Sequence, residues 1–231
     1  MESETTKINQ IQVIYKKTKY SYKEYYHCID GKALVEYLEE QVPFDIKNKL
    51  KYNGDFLGLM PAWSGKLMMT GENQFVWSLI DSEEEFNVPV LVCEDDCDLS
   101  CIVIVAHIRK TNTNVYWDKI GLVDWTEYDV AKECESGFLY VETYTQKDWD
   151  LYGGDVAWMK PNSSEFIQWL HDNQCWEEEC FRRLSNYMKP FIQKDGHINW
   201  FFEPKWHFLR NSYDNMVEEY RKICQYALLK I

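Results

Sequence analysis

Val88-Pro89-Val90-Leu91-Val92-Cys93, Cys101-Ile102-Val103-Ile104-Val105-Ala106-His107-Ile108-Arg109 and Val115-Tyr116-Trp117-Asp118-Lys119-Ile120-Gly121-Leu122 decide the fold class of this chain. The middle run is apolar almost throughout, as expected of a central strand covered on both faces. An acidic turn separates it from the first run. Thr111-Asn112-Thr113-Asn114 separates it from the third, and Asn tolerates the left-handed backbone that tight turns need. Working outward, Gln74 to Ile80 reads as a strand before these three. Gly137 to Tyr144, with Phe138, Tyr140 and Glu142 alternating against Leu139, Val141 and Thr143, reads as a further strand after them.

The flanks read differently. Ile11 to Tyr15 alternates weakly, as a strand does, and Tyr20 to Tyr26 is tyrosine-rich and fits either element type. Asp30 is placed to cap a helix through Leu34, Val35 and Leu38 to about Gln41, with Pro43 ending it. Asp45 is placed to open a short helix towards Leu50. In the last third, Asn162 or Ser163 caps a helix bearing Phe166, Trp169 and Leu170 on one face. Cys180, Phe181, Leu184, Tyr187, Met188 and Phe191 recur at helical spacing, His197 to Phe202 reads as a strand, and Met216, Val217, Tyr220, Ile223, Cys224, Ala227, Leu228 and Ile231 form the stripe of a final helix. The expectation is one α+β domain over residues 1–231. Its antiparallel-dominated sheet lies around residues 74–144, with N-terminal and C-terminal helices packed on it.

Composition narrows the function classes. Aromatic residues make up 16% of the chain, with 10 Trp and 16 Tyr, and rings in that number need burial or a partner, which excludes disorder. No run approaches the roughly 20 apolar residues that span a bilayer, and Met1 to Gln10 lacks the apolar core of a signal peptide. A cytoplasmic location follows as an expectation, with the eight cysteines reduced and acting mainly as small hydrophobes. The formal charge of −13 is uneven. Residues 1–51 sum to +1 and the remainder to −14, and Leu67 to Ile108 holds nine carboxylates and no Lys or Arg. Such a field repels nucleic acid and anionic membranes and attracts a basic partner or a cation.

Chemistry-bearing patterns are few. Cys93, Cys97 and Cys101 are spaced four apart among Glu94, Asp95, Asp96, Asp98 and Ser100. Zinc sites normally use closer Cys pairs and four ligands, and His107 stands six residues beyond Cys101, so no metal and no cofactor are expected. The segment resembles an uncharacterised bacterial protein family in which a strand ends in Cys-x2-Cys-Gly-Asp-x2-Cys and a second strand and a Val-x-Trp pair follow. Cys93, Asp98 and Cys101 match its offsets, and Val115-Tyr116-Trp117 follows. Asp96 stands in place of the second Cys and Cys97 in place of the Gly. The resemblance spans residues 88–125 and implies no activity. Phosphate-cradling glycine loops and His-Glu-x-x-His helices are missing, Gly153-Gly154-Asp155 reads as a turn, and no Cys/His pair stands out as catalytic. His207, near Glu203 and Trp206, reads as a structural histidine on a strand after Pro204.

Two functional readings follow. The first is an acidic cytoplasmic protein-binding protein, of the type of bacterial immunity inhibitors, that captures a basic protein. Its candidate contacts are Glu83, Glu84, Glu85, Asp95, Asp96 and Asp98 at the two ends of one strand, with Trp149 and Trp176 as exposed aromatics. The second is a metal-binding protein or enzyme using the Cys93–Cys101 turn. The oligomeric state is left open.

Overall fold

A computed structural model describes residues 7–17, 23–48 and 55–228, with side chains through residue 225. It is an α+β fold with two antiparallel sheets. The first sheet is β1 (Ile11–Lys17), β2 (Lys23–Ile29) and β3 (Lys32–Ala33), in that order. Asp30 and Gly31 link β2 to β3 with φ of 48° and 85°. Two successive positive φ values in an Asp-Gly pair mark the tight hairpin turn that matches strand twist. Asp30 therefore does not cap a helix. Its carboxylate accepts from the Gln10 and Asn9 nitrogens (both 2.8 Å) and from Lys7, which holds its pKa below the usual carboxylate value against the opposing effect of burial. Helix α1 (Leu34–Gln41) starts after Ala33, whose N–H donates to Glu36, and α2 (Phe44–Lys47) follows Pro43. The expected extension of α2 to Leu50 lies outside the described residues, as do Tyr20 and Ile231.

The second sheet runs β4 (Met60–Pro61), β5 (Phe86–Val92), β6 (Val103–Lys110), β7 (Asn114–Val123) and β8 (Ile198–Phe202). β9 (Trp206–Leu209) also pairs with β7. The three quoted runs are thus β5, β6 and β7, paired as neighbours. β8 covers residues 120–123 of β7 and β9 covers residues 114–117, so one broken strand occupies a single edge. The break holds Pro204, which has no N–H for a ladder, and Lys205 at φ 51°. Trp206 to Leu209 is a strand, and His207 Nε2 lies 2.8 Å from Asn114 Oδ1 with its ring stacked on Tyr116.

Two expected strands are not strands. Gln74 to Ile80 lies in helix α3 (Glu72–Asp81), which buries Phe75, Val76, Leu79 and Ile80. Those positions share one helical face, and tertiary burial outweighs the β-type composition of Phe75-Val76-Trp77. Gly137 to Tyr144 pairs with itself instead of a ladder, through Tyr140 N to Gly137 O, Thr143 N to Tyr140 O and Tyr144 N to Val141 O. With β6 on one side of β7 and β8 and β9 on the other, no edge of β7 is open to it. Gly153-Gly154-Asp155 is likewise helical, within α5 (Gln146–Asp148), a wide turn at Trp149–Gly153 and α6 (Gly154–Val156).

The helices after β7 form a layer of their own. α4 (Val130–Glu135) is capped by Asp129, α7 (Ser164–Asp172) by Ser163, and α8 (Trp176–Arg183) leads through a wide turn at Leu184–Met188 to α9 (Lys189–Ile192). Phe138, Val156, Phe166, Leu170 and Cys175 make a second, small core there. Glu179 is fully buried beneath it. Its carboxylate accepts from Phe138 N (2.5 Å) and from Arg183 Nε (2.7 Å), while Arg183 Nη2 donates to Asn162 Oδ1 (2.8 Å). Gly137 permits this, because a Cβ there would come within 1.9 Å of Glu179 Oε1. Asp148 pairs with Arg182 at 2.7 Å in the same way.

The main core is aromatic. Trp63 in the connection after β4, Trp117 in β7, and Tyr213 and Tyr220 in α10 (Arg210–Leu228) are all buried, and His27 of β2 sits among them. The His27 ring lies 4.5 Å from Trp63, 4.9 Å from Tyr220 and 5.3 Å from Trp117. Neither ring nitrogen has a hydrogen-bond partner among the described residues, and burial pushes its pKa down to about 3. No helix among the described residues is long and apolar enough to cross a membrane.

Two outcomes follow from these buried groups. Arg183→Met leaves the Glu179 carboxylate unpaired, and it should cost about 3–5 kcal/mol in urea unfolding at pH 8. Burial already raises the Glu179 pKa, so the cost should shrink at lower pH, where the carboxyl is neutral. A loss under about 1 kcal/mol would show the pair is not structural. His27 acts in the opposite sense. Its depressed folded pKa contributes stability that is full above about 6.5 and is lost as pH falls towards 3. Between pH 7 and 4 the protein should lose about 3 kcal/mol more than a His27→Phe variant, and equal losses would contradict the buried neutral imidazole.

Candidate functional site

Three places could carry function: the acidic loops at the ends of β5, the surface of the helical layer, and the turn between β5 and β6. The loops disperse the sequence-predicted contacts. Glu83 is exposed but held by Arg210, whose Nη1 and Nη2 each lie 2.7 Å from its carboxylate, and this pairing lowers the Glu83 pKa. Glu84 is exposed. Glu85 accepts at 2.7 Å from His107 Nε2, whose Nδ1 faces Asn87. Asp95, Asp96 and Asp98 lie beyond the other end of β5, about 20 Å away at the rise of a seven-residue strand. Asp98 is engaged locally, accepting from Ser100 N and Oγ, both at 2.8 Å.

The helical layer carries the stronger surface signal. Residues 124–192 contain fourteen carboxylates, four lysines and two arginines, a formal −8 out of the chain's −13. Glu179 and Asp148 are spent inside it on arginines, while Glu135, Glu142, Asp150, Asp155, Glu165, Asp172, Glu177 and Glu178 are exposed. Within the same layer Tyr140, Val141, Trp149, Leu151 and Trp158 are exposed large apolar residues, Leu151 by 55% and Trp158 by 70%. Trp149 is anchored from below, edge-on to Tyr144 at 5.0 Å. Trp176 is only half-buried surface, stacked on His171 at 5.4 Å and reached by Arg183. Sequence reasoning picked Trp149 and passed over Trp158 and Leu151. The signal is local: in Asp148-Trp149-Asp150-Leu151 acids alternate with large apolar residues.

The β5–β6 turn rearranges the three thiols. All eight cysteines are free. Cys97 adopts φ 51° and its Sγ donates to Glu94 O at 2.9 Å, so its thiol is committed to the turn's own backbone. Cys93, Asp96 and Cys101 instead converge, with their ligating atoms within 4.8 Å of one another. The loop is pinned around them: Cys93 N donates to Ile102 O (3.2 Å), Met68 N to Cys97 O (2.9 Å) and Trp125 Nε1 to Cys101 O (2.8 Å). Leu99 N donates to Glu72 Oε1 at 3.0 Å. Burial pushes the Glu72 carboxyl up to about 8, so near neutral pH it is held largely as the neutral acid. Burial also raises the Cys97 and Cys101 thiols. A cleft of about 590 Å³ opens beside the turn, lined by Asp96 and Cys101 from it and by Asp124, Trp125, Thr126 and Asn199 across from it.

Comparison with protein-family models, with curated proteins and with solved structures finds no match to this chain.

Proposed function

We propose that this chain is an acidic protein-binding protein that captures a basic partner in the cytoplasm, in the manner of bacterial immunity proteins. The observation that carries the reading is the coincidence on one layer of −8 in formal charge with exposed Tyr140, Val141, Trp149, Leu151 and Trp158. Exposed acids alone would serve solubility. Exposed Trp and Leu alone would be a liability, and solvent-facing apolar side chains grouped in one segment mark interaction surfaces. Together they fit a partner that presents basic residues around an apolar centre. Long-range charge steers the encounter, and the tryptophans supply the desolvated anchors. The buried Glu179–Arg183 and Asp148–Arg182 pairs support the surface from beneath. In this reading the β5 loops are secondary, because Glu83 and Asp98 already have partners within the chain.

The test is affinity capture of cellular proteins by the wild type and two variants at low and high salt. The wild type should retain a basic protein at low salt. Leu151→Ser with Trp158→Ser should weaken that interaction by about 2 kcal/mol or more, the scale of an interface hot spot. Glu142→Lys with Asp150→Lys and Asp155→Lys should slow association and flatten its salt dependence. Exposed substitutions of this kind change stability by about 0.5 kcal/mol or less, so the fold should survive both. Capture that is independent of salt and of both variants would refute the proposal.

A further inference from the structure

The geometry points to a divalent-cation site of zinc type at the base of the β5–β6 turn, made by Cys93 Sγ, Asp96 and Cys101 Sγ, with its fourth position facing the adjoining cleft. It is independent of the docking surface. The expectation of no metal rested on three thiols spaced four apart with no fourth ligand in view. The turn removes that objection twice. Cys97 leaves the set because its left-handed backbone aims Sγ at the Glu94 carbonyl. Asp96 enters it, and the cleft leaves room for a water or another small donor as the fourth ligand.

Distances and ligand chemistry fit such an ion. Zinc takes thiolate at about 2.3 Å and carboxylate oxygen at about 2.0–2.2 Å, so tetrahedral ligands of the two kinds stand about 3.6 Å apart. Cys93 Sγ and Asp96 Oδ2 are 3.6 Å apart. All three ligand atoms fall within 4.8 Å of one another, so a modest contraction closes the shell. Two thiolates and one carboxylate select a borderline-soft ion over magnesium or calcium, which prefer all-oxygen shells. The local charge favours a cation as well, because Glu94, Asp95 and Asp98 flank the ligands in the turn and no Lys or Arg lies within the segment from Leu67 to Ile108. The backbone on both sides of the ligands is already fixed, by Ile102 O behind Cys93 and by Trp125 Nε1 on the Cys101 carbonyl. Binding therefore needs little ordering of the chain. Three protein ligands with an open fourth position is the arrangement of zinc sites that keep an exchangeable water, whereas closed four-ligand sites serve structure.

Cobalt reports the site directly, because tetrahedral thiolate-bound cobalt absorbs where zinc is silent. Protein stripped with chelator and kept reduced should bind one cobalt per chain, with thiolate-to-metal charge-transfer absorption that zinc abolishes. Cys97→Ser should leave stoichiometry and spectrum unchanged. Cys93→Ser and Cys101→Ser should each remove most of the charge-transfer band. Asp96→Asn, on an exposed turn position that leaves the fold intact by circular dichroism, should weaken affinity tenfold or more. Any of three results would overturn the site: no thiolate band in the wild type, loss of the band in Cys97→Ser, or unchanged affinity in Asp96→Asn. A Cys93–Cys101 disulfide in protein purified under reducing conditions would do so too, by assigning the pair to redox chemistry.

Discussion

The structure depends on the double pairing of β7. Its ladder with β6 fixes the central sheet, and its other edge is filled end to end by β8 and β9, which return from the far end of the chain. That return closes the fold. Asn9 N donates to His207 O, so the start of the first sheet is tied to β9, and α10 then crosses back so that Tyr220 Oη reaches Tyr25 O at 2.8 Å. Trp117, at the centre of β7, is where these parts meet. It touches His27 from the first sheet, Trp63 from the chain after β4, and Trp206 and Phe208 from β9. Such contacts are long-range in sequence, and a cavity at this position would loosen both sheets together.

With both edges of β7 occupied, the chain between β7 and β8 cannot pair with the strand it leaves, and it folds as helices. This layer holds most of the net charge, and its self-repulsion works against compactness. Two buried carboxylates paired with arginines offset that, and the turn at Leu184–Met188 and α9 lock the layer to the main body through Leu184, Met188, Phe191 and Ile192. A rigid scaffold carrying an acidic and locally apolar face is what the binding proposal requires. The β5–β6 turn lies at an end of the same sheet, with its own pinned geometry, which is why the two proposed activities are separable.

Continuous apolar runs and long helical stripes were legible in the sequence. β5, β6 and β7 follow from Val88 to Leu122, and the final helix follows from Met216, Val217, Tyr220, Ile223 and Cys224 at turns of a helix. A short apolar run was not, since Gln74 to Ile80 satisfies a strand and a helix alike until its burial partners are known. Gly137 to Tyr144 alternates convincingly, but alternation cannot reveal that both edges of the preceding strand, β7, are already taken. Asp30-Gly31 was legible as a hairpin pair and its helix-capping competence obscured it. At the candidate sites, the turn between β5 and β6 and Trp149 stand out in the sequence, and both enter the proposals. The sequence could not show that Asp96, not Cys97, joins Cys93 and Cys101, because that depends on a single left-handed residue. Nor could it separate Glu179, buried against Gly137, from its exposed neighbours Glu177 and Glu178.

The claim at the centre of this account is that recognition happens on the helical layer and not at the ends of β5. Hydrogen–deuterium exchange of the chain with and without its captured basic partner tests it most directly. The account predicts slowed exchange over Tyr140 to Trp158 in the complex, with Glu83–Glu85 and Asp95–Asp98 unchanged. Protection confined to either β5 loop, with residues 140–158 exchanging as in the free protein, would contradict it.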